Sequence, residues 1–258
     1  MDTFTDAVRS NTGMLASAEK RALLWLAGRV PPALNADHLT ALALAAMLMV
    51  GASFALSSRF PFMLWMVVFW LAVNWLGDSL DGTLARVRQQ QRPRYGFYVD
   101  HVLDSFGALF VLAGLALSGW MTPIIAALVL VAYFLLSIET YLATYCLGRF
   151  EMSQWKLGPT ELRILVAAGA VTLLVKPMVT VLGRRYLLFD VGGMTAAAGM
   201  VVTAMISTAR HTATLYAAEP LAAEPVGWVL SDPASMARPA LQVFHDVPDH
   251  PLRVAKEH

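Results

Sequence analysis

The chain has 258 residues, of which 57% are apolar and 14% charged, with a formal net charge of +1. Soluble domains carry about 25% charged residues, and a mean hydropathy of +0.58 is more than a single 28.1 kDa globule can hide from water. Composition therefore excludes a disordered chain and gives no basic footprint for nucleic acid; Cys146, the single cysteine, excludes a disulfide framework and a Cys-based zinc site. What remains is a polytopic membrane protein.

Residues 1–14 lack the basic stretch and apolar run of a signal peptide, so none is expected. Residues 17–30, SAEKRALLWLAGRV, place Leu23, Leu24, Leu26 and Ala27 near one face, with Trp25 at its edge. Lys20, Arg21 and Arg29 supply positive charge, which predicts a short amphipathic helix in the headgroup layer, or a cytosolic extension of the first span. A helical span needs about 20 apolar residues. Leu39–Ser58 is uncharged for twenty residues and Phe60–Gly77 for eighteen. Ser105–Ile138 is uncharged for thirty-four, too long for one span. Gly119 and Pro123 in its middle read as a turn, so it splits into helices over 96–119 and 123–147. Ile164–Val175 is uncharged for only twelve residues and reaches membrane length only from Thr160, taking in Glu161 and Arg163. Val191–Ala209 gives nineteen more. The expected fold is all-α, with six transmembrane helices preceded by a juxtamembrane helix.

Orientation follows from Lys and Arg beside the spans. With the N-terminus inside, the inner flanks hold eleven: Lys20, Arg21, Arg29, Arg86, Arg88, Arg92, Arg94, Arg149, Lys156, Arg163 and Arg210. The outer flanks hold four: Arg59, Lys176, Arg184 and Arg185. Both termini are therefore expected inside. Residues 211–258 contain six prolines and no apolar run of span length, which predicts a largely disordered cytoplasmic tail with His245, His250 and His258 solvated. The expected organisation is an N-terminal segment 1–37, a membrane domain 38–210 and a tail 211–258.

Charged residues inside spans are costly and mark function by default. This chain puts four aspartates at the facing ends of two consecutive helices. Asp78 and Asp81 are three residues apart, Asp100 and Asp104 four apart, spacings that share a helix face. Asp78, Asp81, Gly82 and Ala85 form one stripe; Gly96, Asp100 and Asp104 form another. Four facing carboxylates repel, and two divalent cations would balance them; hard oxygen ligands suit Mg²⁺ or Mn²⁺ and a substrate diphosphate. Gly82, Gly96 and the small Ala85 leave room beside the carboxylates, and Arg86 can hold a phosphate with its planar fork. The plain alternative is that the aspartates are solvated helix ends paired with Arg88, Arg92 and Arg94.

The run Asp78-x2-Asp81-Gly82-x2-Ala85-Arg86-x9-Gly96-x3-Asp100-x3-Asp104 resembles the signature of the CDP-alcohol phosphotransferase (CDP-alcohol phosphatidyltransferase) family. Its nine-residue gap is one longer than the commonest form. The resemblance covers about residues 17–210 and implies a six-helix membrane fold with a juxtamembrane helix, commonly a homodimer. It implies that Asp78, Asp81 and Asp100 bind metal, with Asp104 completing a second site and acting as general base. Gly82, Ala85, Arg86 and Gly96 would line the CDP pocket. The implied reaction is attack of an acceptor alcohol on the β-phosphorus of a CDP-alcohol, CDP-diacylglycerol among the candidates, with release of CMP in phospholipid biosynthesis. Residues 35–40, NADHLT, resemble the family's entry to the first span, with Ala36 and Asp37 where Pro and Asn are usual. That implies a nucleotide contact for Thr40; the alternative is an N-cap by Asp37.

Beyond the signature, the next polar cluster at the same depth is Glu139, Thr140, Tyr141, Tyr145 and then Gly158–Arg163, including Thr160, Glu161 and Arg163. Glu139, Tyr145, Thr160, Glu161 and Arg163 form the candidate acceptor pocket; the macrodipole of its helix also accounts for Glu161. Tyr141, Tyr145, Thr160 and Glu161 resemble loosely the eukaryotic choline and ethanolamine phosphotransferase branch. Arg149, Lys156 and Arg163 would instead suit a phosphorylated acceptor, so the acceptor stays open. Two other readings use the aspartates differently. A magnesium-dependent prenyl-diphosphate transferase normally has two separated aspartate motifs and more helices. A divalent-cation carrier usually shows internal repeats and broken helices, and none is evident here. The expected location is a bacterial inner membrane, with the site facing the cytoplasm.

Overall fold

The computed structural model describes residues 16–147 and 159–219, with side chains from Arg21 and from Thr160 onward in the two segments. Arg149 and Lys156, and the tail histidines His245, His250 and His258, lie outside the described residues. Seven helices run in chain order: α1 Ala16–Ala27, α2 Ala36–Ser57, α3 Met63–Val87, α4 Pro93–Ser118, α5 Pro123–Leu147, α6 Pro159–Leu173 and α7 Leu188–Ala218. A two-stranded antiparallel hairpin, β1 Met178–Val181 and β2 Arg184–Leu187, joins α6 to α7. The chain divides into two units, Met1–Leu215 and Tyr216–His258; of the second, only the residues that finish α7 and Glu219 are described.

Among the described residues, five helices, α2, α3, α4, α5 and α7, are long and apolar enough to cross a membrane. The chain is an all-α integral membrane protein apart from the small hairpin. The span expected around 160–175 is α6, whose 15 residues fall short of membrane length. Pro159 opens it, and beyond Lys176 and Pro177 the chain passes into Val179-Thr180-Val181, β-branched residues that suit a strand. The turn Leu182-Gly183, at φ 50° and 79°, supplies the two left-handed residues of a tight hairpin. The turn expected around Gly119 is present: α4 ends at Ser118, Gly119 takes φ 75°, and Pro123 starts α5.

α2 packs along both α3 and α4. It approaches α4 backbone to backbone, because a Cβ on Gly114 would run into the Gly51 backbone and one on Gly51 into the Phe110 carbonyl. Small residues permit such contact between apolar helices, where dispersion replaces the hydrophobic drive. Gly77 does the same for α2 and α3; a Cβ there would lie 2.8 Å from the Leu39 carbonyl oxygen. The main core gathers Val50 and Phe54 of α2, Leu64, Val67 and Leu71 of α3, Val111 and Leu115 of α4, and Ala170 and Leu173 of α6. A second cluster packs Leu23 and Ala27 of α1 against Leu39, Leu80 and Leu84, leaving Leu24 and Trp25 exposed.

Polar joints fix the two ends of the bundle. Away from the aspartates, Thr122 donates its N–H and its hydroxyl to the two Asp190 oxygens at 2.7 Å each, tying the start of α5 to the start of α7. At the aspartate end, Arg88 donates to the carbonyls of Val30 (2.9 Å), Pro31 (3.0 Å) and Leu34, and so holds the α1–α2 connection against the end of α3. The N-cap of α2 is Asn35, not Asp37. Asn35 accepts from the His38 N–H at 3.1 Å, and the His38 ring accepts from the Asn35 N–H at 3.2 Å, a reciprocal capping box. Asp37 instead pairs with Arg92 across the α3–α4 connection; its carboxylate, accepting from the guanidinium, raises the Arg92 pKa.

Candidate active site

The C-terminal end of α3 and the N-terminal end of α4 face each other beside the start of α2. Gly77 lets α3 touch α2, and Gly107 sits against the Met47 side chain, so both acidic segments close on one cleft. Asp78, Asp81, Asp100 and Asp104 line it together with Thr40 and Asn74. Three of the four converge: Asp78, Asp100 and Asp104 each offer a carboxylate oxygen, all within 4.8 Å of one another. Asp78 and Asp100 are half-buried and Asp104 is exposed. Such a set of hard oxygen donors, close together and partly withdrawn from water, fits Mg²⁺ or Mn²⁺.

Asp81 lines the same cleft but stands outside this group of three. One of its oxygens accepts from the Thr40 hydroxyl at 2.6 Å and the other from the Gly82 N–H. Thr40, expected at the nucleotide, therefore orients a carboxylate of the cluster. Gly82 and Gly96 are exposed, and a Cβ at either would meet no close neighbour; the nearest atom to Gly82 is Nη2 of Arg86 at 4.0 Å. Glycine within a helix is destabilising by about 1 kcal/mol relative to alanine. Packing therefore gives no reason for these two glycines, in contrast to Gly77. They leave backbone open beside the carboxylates. Half-buried Ala85 and exposed Arg86 follow on the same helix, with Arg86 3.3 Å from the Thr83 hydroxyl.

Two of the residues expected around the acceptor, Arg163 and Glu139, have identified partners on other helices. Arg163 of α6 reaches α3, donating to Asn74 and Asp78. Glu139 of α5 pairs with His211 of α7 at 2.6 Å. Thr160 is half-buried, Glu161 is exposed, and Tyr145 is 70% exposed. Helix α7 runs through residues 210–218, so His211 belongs to a helix. Three partners escaped the sequence reading. Asn74 lies one turn before Asp78, a spacing that would have drawn attention to it. His211 and Tyr133, whose hydroxyl hydrogen-bonds with Ser137, carried no local signal. His101 stacks on Phe97 at 4.1 Å between centroids and meets Tyr141 edge-on at 4.9 Å, so the α4 and α5 faces beside Asp104 are aromatic and hydroxyl-bearing.

Among the described residues, the protein is a helical membrane bundle with a carboxylate cluster lining an interhelical cleft. The family model described as CDP-alcohol phosphatidyltransferase matches residues 33–208. The chain belongs to that family, and all four aspartates lie within the matched segment. The family implies a transferase with a CDP-alcohol donor and an alcohol acceptor. No curated protein sequence matches the chain.

Proposed function

We propose that this protein transfers a substituted phosphate group from a CDP-alcohol to an acceptor alcohol and releases CMP, in phospholipid biosynthesis. The observation that carries the reading is the convergence of Asp78, Asp100 and Asp104 within 4.8 Å, with Asp81 in the same cleft. Two ions, Mg²⁺ or Mn²⁺, would be held by these four carboxylates and, when bound, stabilise the charge on the departing phosphate. Asp104, the exposed member, takes the proton from the acceptor hydroxyl. The acceptor oxygen then forms its bond to the β-phosphorus, and the bond from that phosphorus to the bridging oxygen breaks, its electron pair leaving with CMP. Gly82, Ala85 and Gly96 give the nucleotide access to the backbone, Arg86 binds phosphate, and Thr40 aims Asp81.

The active site faces the cytoplasm in this reading, as the Lys and Arg flanks require, and the protein works as a homodimer in a bacterial inner membrane. Helix α6 makes a sixth crossing. Lys176 still donates its N–H to the Thr172 carbonyl at 2.7 Å, which extends the helical turn. Residues 159–176 then span about 27 Å, close to the roughly 30 Å of a bilayer core. α1 lies in the headgroup layer with Leu24 and Trp25 toward lipid.

The reading is tested by screening the purified protein with CDP-diacylglycerol, CDP-choline and CDP-ethanolamine against a panel of acceptor alcohols, scoring CMP. One donor–acceptor pair should release CMP in step with product. CDP-independent uptake of Mn²⁺ into vesicles, without CMP release from any pair, would favour a cation carrier instead.

A further inference from the structure

Arg163, which the sequence suggested would suit a phosphorylated acceptor, has its side chain engaged with α3. Its Nε donates to Asn74 Oδ1 and its Nη2 to Asp78 Oδ2, both at 2.7 Å. The ion pair is shielded, with side-chain exposures of 15% for Arg163 and 27% for Asp78. Asn74 is buried, and its amide nitrogen donates to the Ala43 carbonyl of α2 at 2.9 Å. One chain of directional contacts thus runs from α2 through α3 to α6 and ends on a carboxylate of the cluster. A buried amide one turn before a carboxylate is unfavourable in an apolar helix unless both are satisfied. Two donors of one planar guanidinium satisfy both, a geometry that an ammonium cannot reproduce.

Resting on the reading that Asp78 binds a divalent cation, we propose that Arg163 is a positioning residue for Asp78 and not a ligand of the acceptor. By fixing Oδ2, and by tying α6 to α3 through Asn74, it keeps the Asp78 carboxylate in the orientation that brings it within reach of Asp100 and Asp104. Outer partners of this kind typically change metal affinity by about 10- to 100-fold when removed.

The test measures Mn²⁺ binding to the purified protein by electron paramagnetic resonance, without substrate. Arg163→Gln should weaken Mn²⁺ binding by about 10- to 100-fold, and Arg163→Lys by less, because lysine keeps the charge and loses the bridge to Asn74. Should Arg163→Gln fail to fold, Asn74→Leu carries the test, with weaker Mn²⁺ binding expected while the Arg163–Asp78 pair remains. Saturating Mn²⁺ should also restore the thermal stabilisation that the ion gives the wild type. Unchanged Mn²⁺ affinity in Arg163→Gln would overturn the proposal. So would loss, at undiminished Mn²⁺ affinity, of binding in that variant of a phosphorylated acceptor that the wild type is first shown to bind, glycerol 3-phosphate being the probe tried, since Arg163 would then be an acceptor ligand. Failure of the wild type itself to bind Mn²⁺ is a separate result, which removes the metal reading and not only the role of Arg163.

Discussion

Asp104 is exposed and Asp78 half-buried, and the proposed roles of base and metal ligand follow that difference. Asp78 is held by Arg163, and Asp104 stands exposed at the rim of the same oxygen cluster. Replacing Asp104 by Asn keeps size and hydrogen bonding but removes the acceptor of a proton. Asp104→Asn should lower turnover by at least about 10²-fold, within the range for loss of a general base. CDP-alcohol affinity should fall less than in Asp78→Asn or Asp81→Asn, whose carboxylates would hold the ions at the diphosphate in the proposed mechanism. Measuring affinity and turnover side by side decides the matter. Equal loss of affinity in all three variants would leave Asp104 as a ligand only, and Glu161 would become the next candidate for the base.

Helix pairs are set by where side chains are absent. At Gly114 a methyl group would strike the Gly51 backbone, whereas at Gly199 on α7 it would meet nothing. Overpacking a tight contact is typically destabilising by about 1–3 kcal/mol, while Gly to Ala in an open helix position gains up to about 1 kcal/mol. Gly114→Ala should therefore lower the melting temperature in detergent, and Gly199→Ala should leave it unchanged or raise it. A drop of equal size in both variants would remove the close crossing of α2 and α4 from the account. The spacing of the aspartates, the open positions at Gly82 and Gly96, and the break at Gly119–Pro123 were all legible in the sequence. Each depends on helical periodicity or on local turn chemistry. Three features were not: Asn74 with Arg163, Glu139 with His211, and Asp37 with Arg92. These join residues 89, 72 and 55 positions apart, and no local rule reports such pairs. The hairpin after α6 was also hidden, because its first turn position is Leu182 and not the Asn, Asp or Gly that would signal a tight turn. The turn at Leu182-Gly183 rests on a leucine in a conformation that leucine seldom takes.

At the scale of the whole bundle, the aspartate cleft, the start of α2, the start of α6 and His211 of α7 belong to one end, and the hairpin to the other. In the orientation proposed from lysine and arginine counts, the aspartate end faces the cytoplasm. In a Cys146→Ser background, a cysteine at Gln90 should resist an impermeant thiol reagent in intact cells, and one at the fully exposed Leu182 should react. Labelling at Gln90 from outside would reverse the orientation and move the active site to the other face. The central claim is that four carboxylates gather metal to transfer a phosphate group from a CDP-alcohol. It is tested most directly by CMP release from the active donor–acceptor pair, followed before and after removal of divalent ions by chelator and then with Mg²⁺ or Mn²⁺ restored. Release should stop with the chelator, return with the ion in the wild type, and fail to return in Asp78→Asn. Full CMP release in excess chelator would contradict it.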